Sequence, residues 1–275
     1  MIWINSCLVQ VDGVSNMDVT KKYEILKVRG DNREQLEDLI ILEYPFTIFI
    51  DDEEIITLLC TPRSLKELAI GFLYAEGYID SMDALQNVLI DEEKGRAYVY
   101  LNYRMTLTEN LVGKRAITSG CGKGTVFYNV LDSIKSRKIE KAITINLSNV
   151  VSLNKDFNHK SELFLNTGGV HSCGLCYNEK ILYFEEDIGR HNALDKILGK
   201  AFIEGMDLSD KLVITSGRIS SEMILKTSRM GIPAIISRSA PTSLAIDMAK
   251  ELNILLIGFA RGEKMNVYTS FPSIG

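Results

Sequence analysis

Apolar and polar positions alternate, with short interruptions, through "EDLIILEYPFTIFIDDEEIITLLCTP", residues 37 to 62. The pattern predicts two long strands joined through the acidic turn Asp51-Asp52-Glu53. The period then changes. In "SLKELAIGFLYAEGYI" the residues Leu65, Leu68, Ala69, Phe72 and Leu73 recur at helical spacing. Ser64 followed three residues later by Glu67 predicts a capping box at that helix start. "VLIDEEKGRAYVYLN" returns to strand character and predicts a hairpin turning at Glu93 to Gly95. Residues 1–115 therefore read as a smaller α+β domain with few chemical groups.

From about residue 116 the rhythm becomes strand, turn, helix. Short apolar runs at Leu212 to Ile214, Ala234 to Ile236 and Ile254 to Phe259 begin about twenty-one residues apart, as βαβ units do. The second intervening helix is expected to be capped near Thr242. Right-handed crossovers make these strands parallel and gather their exit loops on one edge. Upstream, "EKILYFEEDIGRHNALDKILGKAFIEGM" predicts a strand through Phe184 and a helix from about His191. The fold class is α/β, with residues 116–275 as a C-terminal α/β cofactor-binding domain. "ITSG" occurs at Ile117 to Gly120 and again at Ile214 to Gly217, each closing an apolar run, so the two copies are expected at equivalent strand ends.

Composition narrows the function classes. With 46% hydrophobic residues, 275 residues suffice for one large core or two modest ones. Lys+Arg 31 against Asp+Glu 36 gives a net charge of −5, which argues against a general nucleic-acid-binding surface. No apolar run approaches the roughly 18 to 20 residues of a membrane span, and "MIWINSCLVQVDG" lacks the basic flank and long apolar region of a secretory signal. Five cysteines, an odd count at irregular spacing, do not form a disulfide framework. A cytoplasmic protein with reduced thiols is expected, with neither membrane nor nucleic acid as a partner.

Against this acidic background, Arg218, Arg238 and Arg261 stand just after three successive predicted strands, and Arg190 follows a fourth. Gly217, Ser237, Ser239, Gly262 and Gly189 accompany them. Ligands of open α/β sheets bind beyond the carboxyl ends of the strands, and arginine forks with helix-start N–H groups suit phosphate. Taken singly, each arginine fits a surface ion pair with a nearby carboxylate; all four together point to a local anion site. His171, after Gly168 and Gly169, and His191 sit at turn-rich boundaries; each is either a ligand contact or a locally bonded boundary residue. His159 lies in a polar stretch and is expected to be solvated.

Other motifs fail on inspection. "GCGKGT" lacks the spacing of a phosphate loop. "HSCGLC" offers His171, Cys173 and Cys176 but no nearby fourth zinc ligand, so two small residues in a packed strand are the simpler reading. Cys60, in an apolar run, reads as core. Cys121, in "TSGCGKGT", differs. Glycine-rich backbone after a strand forms a nest that favours an anion, and Lys123 adds positive charge. Both favour thiolate, the nucleophilic form. With no base evident beside it, Cys121 reads as a carrier thiol.

In order along the chain, "GFLYAEGYI", "TSGCG", "NTGGVH", "EDIGRHNALDKILG", "TSGRISSEMILK", "GIPAIISRSAPTSLAI" and "IGFARGEKMNVYT" resemble the formate dehydrogenase accessory sulfurtransferases, the FdhD/NarQ family, over about residues 40 to 270. The resemblance implies a C-terminal fold like the cytidine deaminases without their zinc, and a homodimer. It implies a sulfurtransferase: a cysteine desulfurase passes sulfur to Cys121 as a persulfide. The sulfur is then delivered to the molybdenum bis(molybdopterin guanine dinucleotide) cofactor of formate dehydrogenase. It places that cofactor on Phe259, Ala260, Arg261, Gly262, Glu263 and Lys264, and gives the strand-end arginines a ligand with two pyrophosphates. The chain departs from the family at Gly124, where many members carry a second loop cysteine, and at Cys173 and Cys176, which stand where small apolar residues are usual. A cofactor-binding insertion chaperone without sulfur transfer is the alternative that the residues leave open.

Overall fold

The computed structural model of the chain describes residues 17–103, 138–140 and 143–270. The alternating segment after residue 37 resolves into parts of three strands. β1 (Thr20–Arg29) and β2 (Asn32–Ile41) form an antiparallel ribbon closed at Gly30, whose φ of 58° lies in the left-handed region that favours glycine. The chain then breaks before Tyr44-Pro45 and enters β3 (Tyr44–Ile50) and β4 (Glu53–Cys60). Their turn is the expected acidic one, with Asp51 and Asp52 both at positive φ, as a two-residue hairpin with right-handed strand twist requires. β5 (Leu85–Asp91) and β6 (Arg96–Leu101) form the second expected hairpin, and the four strands assemble in the order β4-β3-β6-β5. α1 (Leu65–Glu76) buries Leu65, Leu68, Ala69, Phe72 and Leu73 in the same core as Phe46, Ile48 and Ile50 of β3.

The capping box at Ser64 does not form. Ser64 adopts a left-handed conformation and its hydroxyl donates to Glu185 Oε1 at 2.8 Å, so the side chain serves a tertiary carboxylate instead of the helix start.

α2 (Leu147–Lys160), capped by Asn146, and the short α3 (Glu162–Thr167) precede the main sheet. Its strands are β7 (His171–Tyr177), β8 (Lys180–Asp187), β9 (Leu212–Thr215), β10 (Ala234–Ser237), β11 (Leu255–Arg261) and β12 (Lys264–Val267), in the order β12-β11-β10-β9-β7-β8. α4 (Arg190–Ile203), α5 (Ser221–Arg229) and α6 (Ser243–Glu251) connect them. β9, β10 and β11 are parallel, as expected. β9 and β10 are buried throughout because both faces are covered. Val213, Ile235 and Leu256 face a core shared with α4 to α6, while Ile214, Ile236 and Ile257 face a second core with α2. β7 runs antiparallel to β9, and β8 antiparallel to β7, so β8 points the same way as the parallel set.

α1 and α4 cross at Gly71 and Gly199. A Cβ on Gly71 would lie 1.8 Å from Asp195 O, and one on Gly199 1.9 Å from Glu67 O, so the two backbones touch and only glycine fits. Beside this crossing Lys196 Nζ meets Asp187 Oδ2 at 2.7 Å with both side chains fully buried. Lys196 also donates to Thr61 O, and Thr61 N–H donates to Asp187 Oδ2. Residues just before α1 are thereby tied to the end of β8.

Candidate functional site

The register defines which ends meet. His171 opposes Asp187, Cys173 opposes Thr215, Thr215 opposes Ser237, and Ile236 opposes Ile257. The exits of β8, β9, β10 and β11 and the start of β7 therefore share one edge. That edge carries Arg190, Arg218, Arg238 and Arg261, the four arginines expected to gather, and His171 lies with them.

Serines and threonines tie the loops together. Ser172 N–H donates to Ser216 Oγ at 2.9 Å, and Ser216 Oγ lies 3.4 Å from His171 Nδ1. Ser237 Oγ donates to Gly217 O at 2.6 Å, and Ser239 N–H donates to Ser237 Oγ. Gly217 lies against Arg190: a Cβ there would sit 2.9 Å from Arg190 Cβ. Asp187 Oδ1 accepts from Gly189 N–H and from Asn192 Nδ2, which fixes the backbone just before Arg190. On the other side, Arg261 Nε donates to Arg238 O at 2.9 Å.

Among the described residues no carboxylate forms an ion pair with any of the four arginines, so the simple surface-pair reading does not hold for them. Arg190 Nε is buried without a hydrogen-bond partner among the described residues. Burial, and then neighbouring Arg218, depress the Arg190 pKa; burial, and then Arg261, depress that of Arg238. Burial together with Arg190 and Arg218 also lowers His171. Cations that repel one another at a partly buried edge favour any anion that joins them. α4 and α5 begin here, and neither has a side-chain cap, so their first-turn N–H groups add to the positive field. α6, by contrast, is capped by Thr242 as expected, its hydroxyl accepting from Ala245 N–H.

The β11–β12 hairpin places the 259–264 segment unevenly. Phe259 is exposed at a positive φ of 52°, next to a bulge; an aromatic side chain held in this strained conformation at a sheet edge suits a ligand contact. Its N–H donates to Ser239 O. Ala260 is fully buried in the α2-side core, so only its backbone faces the edge. Arg261, Gly262, Glu263 and Lys264 are exposed around the turn. Cys121, with Lys123, Gly124 and the first "ITSG" copy, lies outside the described residues.

Sequence reading did not single out Glu222. His191 Nε2 lies 3.2 Å from Glu222 Oε2 and 3.3 Å from Ser220 Oγ. Burial, helped by Lys226, Arg190 and His171, pushes the His191 pKa down to about 3. His191 is neutral in the fold, and the unfolded chain protonates it below about 6.5. Its stability contribution is complete above that pH and is lost as the pH falls through the window down to about 3. The partly exposed ring limits the effect to about 2–3 kcal/mol. His191→Gln is expected to flatten the pH dependence of the unfolding free energy over this window; an unchanged slope in denaturant titrations would contradict this.

Cys173 and Cys176 are buried on opposite faces of β7, one in each core, so they share no ligand. Burial pushes the Cys173 thiol up to about 12 and the Cys176 thiol up as well, leaving both inert as nucleophiles. Cys60 is also buried, as expected of a core residue.

A family model for the FdhD/NarQ family matches residues 41–274, and the chain belongs to that family. It is 44% identical over 257 residues to a protein of Bacillus licheniformis named sulfur carrier protein FdhD, covering 94% of this chain and 98% of that one. A Bacillus subtilis protein of the same name is 43% identical over 254 residues, covering 92% and 97%. The fold matches the crystal structure of a proposed formate dehydrogenase accessory protein from Desulfotalea psychrophila. The TM-score is 0.77 and the identity 27%, over 94% of this chain and 100% of the other. No helix among the described residues is long and apolar enough to cross a membrane.

Proposed function

We propose that the chain is a cytoplasmic sulfur carrier serving formate dehydrogenase maturation. Cys121 thiolate attacks the persulfide of a cysteine desulfurase; the terminal sulfur moves to Cys121, the donor cysteine leaves as thiolate, and no external electrons are needed. The cationic edge holds the substrate that receives the sulfur, the molybdenum bis(molybdopterin guanine dinucleotide) cofactor. We read residues 116–275 as a cytidine-deaminase-like unit without zinc, residues 1–115 as a smaller N-terminal α+β domain, and the working molecule as a homodimer. The observation that carries the reading is the gathering of Arg190, Arg218, Arg238 and Arg261 at one edge, none in an ion pair with a carboxylate among the described residues, and with a buried Arg190 Nε that no described residue satisfies. These residues fit a ligand with two pyrophosphates: fork donors, two uncapped helix starts and an exposed aromatic ring.

GDP is a fragment of that ligand and is expected to bind. Charge-assisted hydrogen bonds contribute roughly 1.5–3 kcal/mol each. Arg190→Ala, Arg218→Ala or Arg261→Ala is therefore expected to weaken GDP about tenfold to a hundredfold in calorimetry, and Arg261→Lys to recover only part, since lysine lacks the planar fork. Affinity is expected to fall with rising salt. Unchanged affinity in Arg261→Ala would remove the β11–β12 hairpin from the site; unchanged affinity in all three would remove the edge. The chaperone alternative shares this edge and differs only in leaving Cys121 idle.

A further inference from the structure

The ribbon of β1 and β2 has no part in the site. Its ten-residue strands form a sheet of their own, none of their side chains enters a buried core among the described residues, and all but Ile41 lies outside the family match. A lone two-stranded ribbon is marginal in water. This one also exposes Tyr23 and Ile40 on one face, at 49% and 39%, and Leu26 and Val28 on the other, at 54% and 57%. Apolar surface on a free-edged ribbon is a place for a partner.

The register sorts its side chains onto two faces, since directly opposed residues share a face. One face carries the pairs Tyr23–Asp38, Ile25–Leu36 and Lys27–Glu34, with the cation on β1 and the anions on β2. The other carries Lys22–Leu39, Leu26–Gln35 and Val28–Arg33, with Glu24 opposite Glu37 between them. On that second face Lys22 Nζ already holds Glu37 Oε2 at 3.0 Å, and Ile41 packs against Gly169 of the body. On the first face neither Lys27 nor Glu34 forms an ion pair with a described residue.

We propose that the first face docks a second copy of this chain, the two ribbons stacked face to face about a two-fold axis running along the strands. Such an axis lays β1 of one copy over β2 of the other at equal height. Lys27 then faces the partner's Glu34, Tyr23 the partner's Asp38, and Ile25 the partner's Leu36, each twice by symmetry. The second face is not self-complementary, because the same operation sets Glu24 over the partner's Glu37. A face of ten residues at ~3.3 Å each by ~10 Å is smaller than the ~800 Å² per partner of a standard interface, so the dimer is expected to dissociate on dilution.

The inference rests on the homodimer reading, and charge exchange separates the two. Sedimentation velocity is run over a dilution series on the full chain, Lys27→Glu, Glu34→Lys, and a mixture of the two variants. Each variant alone sets like charges across the interface and is expected to raise the dimer dissociation constant about tenfold. The mixture restores both opposite-charge contacts and is expected to dimerise like the unsubstituted chain. Repulsion within one ribbon is unaffected by mixing, so a purely structural defect is not rescued. Dimerisation of each variant at the original strength, or failure of the mixture to recover it, would overturn this interface while leaving the dimer. A chain that stays monomeric throughout the series would overturn both.

Discussion

Replacing Cys121 with alanine is expected to abolish activation of the dehydrogenase that the protein serves. Without the thiolate there is no acceptor for sulfane sulfur, and none of the described cysteines can substitute: Cys60, Cys173 and Cys176 are buried, with thiols pushed well above the neutral range. Cys121 stands between glycines in the sequence, and stability is expected to change by about 0.5 kcal/mol at most, as for ordinary surface positions. GDP affinity should be unaltered. Dehydrogenase activity is assayed in cells carrying only the Cys121→Ala protein; full activity there would end the carrier role. Loss of activity in a Cys173→Ala/Cys176→Ala variant with Cys121 intact and stability unchanged would mean that the wrong thiol has been named.

The largest expected stability loss belongs to Lys196→Met. Lys196 and Asp187 form a fully buried pair beside the α1–α4 crossing. Removing the cation leaves Asp187 charged in a dry site, which costs about 3–5 kcal/mol. Neutralising both partners, in Asp187→Asn/Lys196→Met, is expected to be milder, because no uncompensated charge remains. Chemical denaturation of the three variants makes the comparison; a Lys196→Met chain as stable as the parent would contradict it. The same pair bears on ligand binding, since Asp187 Oδ1 holds Gly189 N–H immediately before Arg190. Under conditions where the single variant remains folded, weaker GDP binding is also expected.

Much of the edge was legible because its cause is local. Short apolar runs such as Leu212 to Ile214 are buried on both sides, and an arginine soon after each run has only one place to go once the strands are parallel. The Asp51-Asp52 turn was likewise legible from two residues that tolerate positive φ. Features set by distant residues were hidden. Ser64 and Glu67 form a capping signature locally, but Glu185, far along the chain, takes the hydroxyl. The insertion of antiparallel β7 between β9 and β8 has no local signal. The need for glycine at positions 71 and 199 has no local signal either, because the backbone that excludes a Cβ belongs to the other helix. The β1–β2 ribbon escaped because its apolar residues fall on both faces and give no clean alternation. Glu222 was missed because its partner His191 lies on another helix, α4. A run of serines after a strand, as in "TSGRISS", is the signal that would have drawn attention to it.

The most direct test of the sulfur-carrier account is intact-mass analysis of the chain after incubation with a cysteine desulfurase and cysteine. The account predicts a gain of one sulfur that a thiol reductant removes, that maps to Cys121, and that is absent from Cys121→Ala. A chain whose mass stays unchanged while the desulfurase turns over cysteine, or whose added sulfur persists in Cys121→Ala, would contradict it.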